Sequence, residues 1–339
     1  MAGAHPGLEA LIPLRGGDLL SAADLSREQT LALLQLAGEL KSGQRQIDLA
    51  GKVLGLIFTK ASTRTRVSFS VAMARLGGQT LDLNPQVTQV GRGEPVADTA
   101  RVLSRYVDAL AIRTFAQDEL AEYAHWASIP VVNALTDLEH PCQALADYLT
   151  LAEAFGGNPH NLAGLTLAYV GDGNNVAHSL MLTGALLGVN VRVGCPVGFE
   201  PSSEVLQHAQ AIASQNGCRV DVVHGPLAAA RGAHALYTDV WASMGQEEEQ
   251  AAREGAFSGW CLDEALVAEA DSRAIVLHCL PAHRGEEVTD QVIDSANSVV
   301  FDQAENRMHI QNALLLNLLA TPATDPLARN ARASARASE

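Results

Sequence analysis

Five donors stand in a row at Ser62-Thr63-Arg64-Thr65-Arg66. Three hydroxyls and two guanidiniums in one turn, with no acid among them, are groups that grip an anion. Arginine can hold two phosphate oxygens at once. Further candidates follow along the chain: Arg113, the run His140-Pro141-Cys142-Gln143, Asn174-Asn175, Asp239, His278-Cys279-Leu280-Pro281 and Arg307. Arg64, Arg66 and Arg113 would form a cationic pocket for a small anionic substrate, to which His140 and Gln143 add donors. An acid beside amides, as with Asp239, Asn174 and Asn175, suits an amino group and a carboxylate, and so an amino acid. Phosphate-type donors in one half and amino-acid-type groups in the other point to group transfer between two substrates.

These residues need strand ends to hold them. The apolar run Val53–Phe58 reads as a buried parallel strand, and residues 67–76, ended by Gly77-Gly78, read as a helix, so the five donors fall on a strand-to-helix turn. Such a turn offers unpaired N–H groups and the positive end of a helix dipole. Ser26 and Gln29 make a capping box ahead of a helix with an apolar stripe of Leu31, Leu34, Ala37 and Leu40. A strand near Thr80–Leu83, a polar loop Asn84–Gly93, a helix from Pro95 through Tyr106, and the strand Asp108–Ile112 come next. Helix 116–127, strand 130–134 and helix 141–155 complete the first half. After Gly156-Gly157-Asn158-Pro159, strands are expected at Leu165–Val170, Val189–Val193, Arg219–Val223, Ala235–Tyr237, Ile275–Cys279 and Val299–Phe301, with a last helix over Ala304–Leu319. The alternation predicts an α/β protein of two open parallel-sheet domains, with helices on both faces and interdomain helices linking them. The expected boundaries are 1–150, with helix 304–319 packing back on it, 151–320, and a tail 321–339 whose small, polar end predicts disorder. Ligands of such sheets bind at the carboxyl ends of strands, where the candidate residues fall.

The totals exclude several classes. The 339 residues are 47% apolar and carry a net charge of −15, with no basic face for nucleic acid. No apolar run reaches membrane-spanning length, and residues 1–6 lack the basic start and apolar core of a signal peptide. Five scattered cysteines read as cytosolic thiols rather than a disulfide frame. Gly171-Asp172-Gly173 after a strand approaches a dinucleotide fingerprint. Its third glycine position is Val176, however, and Cys195-Pro196 stands where an acid would. There is no Walker motif, and no cofactor is expected. His278, Cys279 and His283 are metal-ligating types, but neighbours on a strand point to opposite faces, so no metal site is expected. No base is placed in sequence to make Cys279 a nucleophile. The run Glu247-Glu248-Glu249 reads as a solvated face.

At this point the chain resembles the ornithine carbamoyltransferases. The resemblance rests on Ser62-Thr-Arg-Thr-Arg66, His140-Pro-Cys-Gln143, Asp239-Val-Trp-Ala-Ser-Met-Gly245 and His278-Cys-Leu-Pro-Ala-His-Arg-Gly285, in order and spacing, across residues 18–320. The first two mark transcarbamylases generally and the last two the ornithine branch. The resemblance implies that carbamoyl phosphate is held by Ser62, Thr63, Arg64, Thr65, Arg113, His140, Pro141, Cys142, Gln143, Cys279, Leu280 and Arg307. It implies that Gln89 reaches the pocket of a neighbouring subunit in a homotrimer. L-Ornithine would be held by Asn175, Asp239, Ser243 and Met244, and the catalytic set would be Arg113, His140, Cys279 and Arg307. It also implies a cytoplasmic enzyme of arginine biosynthesis. Thr59 and Ser70 depart from the family's usual Glu, so a local ion pair beside the phosphate turn is expected to be missing. Other readings are the same chemistry on aspartate, putrescine or an acylated ornithine, a nicotinamide dehydrogenase, and a non-catalytic homologue. Asp239 speaks against aspartate, and Ser243-Met244-Gly245 speaks for free ornithine.

Overall fold

The computed structural model describes residues 8–45, 48–84, 93–242, 253 and 255–320. The chain divides into two compact units, Met1–Asp137 with Arg307–Glu339, and Leu138–Asn306. Each is an α/β unit on one parallel sheet.

In the first unit the sheet order is β2-β1-β3-β4, with β1 Val53–Phe58, β2 Gln79–Asp82, β3 Ala109–Arg113 and β4 Val131–Leu135. β1 is buried from Leu54 onward and β3 and β4 throughout, as strands covered on both faces must be. Helix α1 (Arg27–Lys41) opens with the expected capping box, Ser26 Oγ accepting from Gln29 N and Gln29 Oε1 from Ser26 N. α2 (Thr63–Arg75) buries Phe69, Ala72 and Met73. α3 (Val96–Leu103) and α4 (Gln117–Trp126) pack Ala100, Leu103, Leu120 and Tyr123 onto Ile57, Leu110, Ile112 and Val131. The alternate strand residues Leu56 and Ala111 are equally buried, on the opposite face. Beyond β4, Leu19 adds a single parallel bridge at Val132 and so covers that edge.

The second unit has five parallel strands in the order β7-β6-β5-β8-β9: β5 Thr166–Val170, β6 Asn190–Gly194, β7 Val220–Val223, β8 Ala235–Thr238 and β9 Ile275–His278. α5 (Pro141–Ala154) and α6 (Asn175–Leu187) are apolar nearly all round and buried along most of their length. They approach closely at Gly184, where a Cβ would lie 2.2 Å from the Tyr148 hydroxyl. α7 (Ser203–Asn216) packs on α6 and ends at Gly217 in the left-handed conformation. α8 (Pro226–Ala230) and two short helices, Glu264–Ala268 and Asp290–Ile293, complete the cover. At the end of β5, Gly173 lies so near the chain that a Cβ would sit 2.2 Å from Pro201 N. That glycine serves backbone packing rather than a dinucleotide.

Every strand expected through Ile275 forms, its ends moved by a residue or so. Val299–Phe301 is the exception. Ser298 makes an isolated bridge to Val276, and the closing helix already starts at Val300 and runs to Leu319. A three-residue apolar run cannot be assigned by periodicity; here Val300 is buried and Phe301 is exposed, as on a helix turn. The helix expected through Tyr106 stops at Leu103. The loop expected at Asn84–Gly93 lies outside the described residues apart from its two ends, and the acidic run 247–249 and the tail 321–339 lie outside them entirely. Among the described residues no helix is long and apolar enough to cross a membrane.

Candidate active site

In the first sheet the winding reverses between β1 and β3, with β2 on one side and β3 and β4 on the other. Such a switch point leaves a crevice at the carboxyl ends of the two strands. The Ser62 turn follows β1, and Arg113 ends β3, in register with Phe58. Ser62 is the N-cap of α2, extended at φ −162° and ψ 111°, and its Oγ accepts from Thr65 N at 3.2 Å. Thr63 and Arg64 are exposed, and Thr65 is 1% exposed. Arg307, on the closing helix and also buried, donates from Nη2 to Thr65 Oγ1. Thus Thr65, Arg113 and Arg307, scattered through the sequence, belong to one unit. Arg64 makes no hydrogen bond or ion pair with a described residue.

Arg66 is held at the edge strand of the same unit. Its Nη1 pairs with Asp82 on β2, and its guanidinium lies 5.0 Å from the centre of the Phe58 ring. Of the three arginines expected to form a cationic pocket, Arg66 is thus engaged by Asp82 and Phe58. One turn of helix separates Arg66 from the cap and points it along the sheet edge. Thr59 and Ser70 hydrogen-bond locally: Thr59 Oγ1 donates to Arg113 O at 3.0 Å, and Thr80 Oγ1 to Ser70 Oγ at 3.3 Å.

The second sheet reverses between β5 and β8. Asn174 follows β5 and Asp239 follows β8. Asn174 Oδ1 caps α6, accepting from Val176 N at 2.9 Å and Ala177 N at 3.2 Å. That fixes its amide, so Nδ2 donates to Asp239 Oδ2 at 2.8 Å. The other oxygen, Asp239 Oδ1, accepts from Val240 N at 2.8 Å and Cys279 Sγ at 2.9 Å. These donors at both oxygens fix the direction of the acid, a carboxyl group in this amide-rich turn that can receive a cation. Tyr169 lies beneath, its phenol pushed well above the usual range by burial and then by the Asp239 and Asp172 charges. It stays protonated and donates to Asn174 Oδ1 at 3.3 Å. Asn175, expected to hold ornithine, is the first residue of α6, next to the Asn174 that contacts Asp239.

Cys279 and Leu280 follow β9 in a turn with a cis Leu280–Pro281 peptide and Leu280 at φ 57°. His278 Nδ1 accepts from Leu280 N at 2.8 Å, which places its proton on Nε2, 3.0 Å from Glu287 Oε1. Glu287, fully buried, also accepts from His283 N at 2.6 Å. The opposite-faces argument against a shared ion fails, because the strand ends at His278. The ligand atoms of Asp239, His278 and Cys279 lie within 4.8 Å of one another, as do those of His283, Glu286 and Glu287. Both His278 ring nitrogens are nevertheless taken by protein partners, so an ion would have to break one of those bonds.

His140 is the N-cap of α5 and Pro141 its first residue; His140 N donates to Ser179 Oγ at 2.8 Å. Cys142 and Gln143 are buried in the first turn. Because the units divide after Asp137, all four lie in the second unit. Next to this segment, buried His178 accepts at Nε2 from Ser202 N (2.9 Å) and donates from Nδ1 to Leu138 O (2.8 Å). Burial holds its pKa below the usual imidazole value. The unfolded chain therefore takes up this proton first as pH falls. The stability contribution is complete above about 6.5 and declines below it. We expect the melting temperature to fall between pH 7 and 5.5, and His178→Gln, which cannot take the proton, to flatten that fall. An unchanged slope in the variant would rule His178 out as the source.

Gln89, Ser243 and Met244 lie outside the described residues. Among the buried polar residues that the sequence reading did not single out are Asp147, Glu287 and Gln303. Asp147 stands four residues after Gln143, a helix-face spacing that could have revealed it. Glu287 and Gln303 carry no local signal. Arg253 escaped too; its Nη1 holds Asp172 Oδ2 at 2.7 Å and the Trp241 carbonyl at 2.9 Å.

Anion donors at one switch point and an acid–amide cluster at another define a two-domain α/β transferase. The chain belongs to the aspartate/ornithine carbamoyltransferase family: the carbamoyl-P binding domain of that family matches residues 17–153, and its Asp/Orn binding domain residues 163–318. The ornithine carbamoyltransferase of Parasynechococcus marenigrum (strain WH8102) is 68% identical over 320 residues, 94% of this chain and 99% of that protein. Among solved structures, ornithine carbamoyltransferase from Gloeobacter violaceus is 56% identical, with a TM-score of 0.82 over 89% of this chain and 98% of that one. The enzyme from Pyrococcus furiosus is 49% identical, with a TM-score of 0.86 over 90% and 98%.

Proposed function

We propose that this protein transfers the carbamoyl group of carbamoyl phosphate to the δ-amine of L-ornithine, giving L-citrulline and phosphate. The observation that carries the substrate choice is the Asp239 side chain, held in place by Asn174, Val240 and Cys279. It is a receptor for an ammonium group, with amide donors beside it. The relatives' names supply the same substrate.

The Ser62–Thr65 turn and Arg64 hold the phosphate. The neutral δ-amine attacks the carbamoyl carbon, and the carbonyl oxygen takes up negative charge. Thr65, Arg113, His140 and Arg307 are the donors for that oxyanion; losing one such donor costs about 2.7–4 kcal/mol. The intermediate collapses by breaking the bond to phosphate, which leaves and accepts the amine's proton. Cys279 and Leu280 meet the reacting ends, and no covalent enzyme intermediate is required. Asn175, Ser243 and Met244 complete the ornithine site. Gln89 serves a neighbouring subunit of a homotrimer, and the enzyme works in the cytoplasm, in arginine biosynthesis. Five free cysteines accord with that compartment, two of them, Cys195 and Cys261, with thiols pushed up to about 12 and about 11 by burial.

A citrulline assay with carbamoyl phosphate and each of ornithine, putrescine, N-acetylornithine and aspartate tests the proposal. Ornithine alone is expected to give rapid turnover, and a better rate with another amine overturns it. An alkylamine of pKa about 10.4 must lose a proton before attack. The rate should therefore rise from neutral to mildly alkaline pH, and a flat profile from pH 6 to 9 with chemistry limiting would contradict attack by the neutral amine.

A further inference from the structure

Gln143 is 1% exposed, and its side-chain oxygen Oε1 has no hydrogen-bond partner among the described residues. A buried acceptor left unsatisfied is costly, so its direction must be imposed. The imposition can be followed atom by atom through the second unit. The main-chain N–H of His278 donates to Gln303 Oε1 at 2.8 Å. A main-chain N–H can only donate, so Gln303 must turn its NH2 the other way, where Nε2 donates to Asp147 Oδ1 at 2.7 Å. Asp147 is fully buried, and as a carboxylate it only accepts. Gln143 therefore also turns its NH2 to the same oxygen, Nε2 to Oδ1 at 2.8 Å. Its own oxygen is left fixed on the other side. One backbone donor at the end of β9 thus sets the orientation of an amide at the start of α5.

We propose that Asp147, oriented by Gln303, is a positioning residue that locks the Gln143 carboxamide with its oxygen turned away from Asp147, so that the site selects a donor bearing an NH2 group over one bearing a methyl. The inference rests on the reading that Gln143 meets the carbamoyl end of carbamoyl phosphate. A carbamoyl NH2 satisfies the locked oxygen; the methyl of acetyl phosphate leaves it unpaired. The phosphate ends of the two compounds are alike and are held by the Ser62 turn, so Asp147 should govern discrimination and not phosphate affinity.

The test compares KM for carbamoyl phosphate with inhibition constants of acetyl phosphate and inorganic phosphate in Asp147→Asn and Asp147→Ala. The asparagine oxygen, directed by Gln303 Nε2, still accepts from Gln143 but as a neutral acceptor, so Gln143 is held less firmly. We expect carbamoyl phosphate to weaken about threefold in Asp147→Asn and about tenfold or more in Asp147→Ala, the effect of one hydrogen bond. Acetyl phosphate and phosphate should stay within about twofold. Asp147→Asn keeps the shape and decides the matter if the alanine variant does not fold. Loss of all three ligands together, or no loss of carbamoyl phosphate, overturns the proposal. Gln143→Met separates the two premises. If it loses discrimination while both Asp147 variants keep it, the positioning role alone fails. If it keeps discrimination, the reading of Gln143 itself fails.

Discussion

Asp239→Asn is expected to lower kcat/KM for ornithine by roughly a hundredfold or more while leaving carbamoyl phosphate affinity within about twofold. The asparagine keeps the shape, and its one oxygen can still accept from Val240 N and Cys279 Sγ, so the turn after β8 should survive, although its NH2 then faces the Asn174 donor. The charge is what it loses. The substrate ammonium would then be desolvated opposite a neutral amide, and truncating one partner of such a pair costs about 2–5 kcal/mol. The location argues for the upper part of that range: Asp239 is only 6% exposed, and solvent cannot screen the loss. Initial rates over a range of ornithine concentrations, with calorimetry for carbamoyl phosphate, read the two effects separately. Unchanged saturation by ornithine would remove Asp239 from the amino-acid site.

Arg64→Ala should have the second large effect, on the other substrate. Arg64 is exposed and pairs with no described residue, so its removal should leave thermal stability unchanged. Carbamoyl phosphate should bind more weakly by about 2–5 kcal/mol, at least about thirtyfold, because phosphate charge is left unpaired. Arg66→Ala is the internal contrast. That guanidinium is already occupied by Asp82 and the Phe58 ring, so its loss should change carbamoyl phosphate affinity several times less. Equal losses in the two variants would mean that Arg66 leaves Asp82 to serve the phosphate.

The sequence carried the architecture well because parallel sheets write it plainly. Strands buried on both faces appear as apolar runs, such as Val53–Phe58 and Thr166–Val170, and the candidate residues fall directly after them. The Ser62 turn and Asp239 could be read for the same reason: each follows a strand at a switch point. Periodicity failed where the run was three residues long, at Val299–Phe301. Alternation failed where the strand stopped, which is why His278 and Cys279 lie near Asp239 together. What spacing cannot encode is partnership across long separations. Gln303 meets Asp147 from 156 positions away, and Glu287 meets His278 across a turn with a cis peptide. Those contacts decide which way a buried amide faces and which ring nitrogen carries a proton, yet each partner alone looks like an ordinary polar residue. The same limit hid the bond between Asn174 and Asp239: each follows a strand, and only the cap geometry shows that Asn174 turns its NH2 to the acid.

The central claim is that phosphate belongs to the Ser62 turn and the amino acid's ammonium to Asp239. A crystal structure with a phosphonate analogue joining the carbamoyl phosphate and ornithine ends tests it most directly. The phosphonate oxygens should lie about 2.7–3.2 Å from the Arg64 guanidinium and the N–H groups that open α2, with the α-ammonium at the same distance from Asp239. A phosphonate bound away from that turn, or an ammonium that does not meet Asp239, would contradict the account.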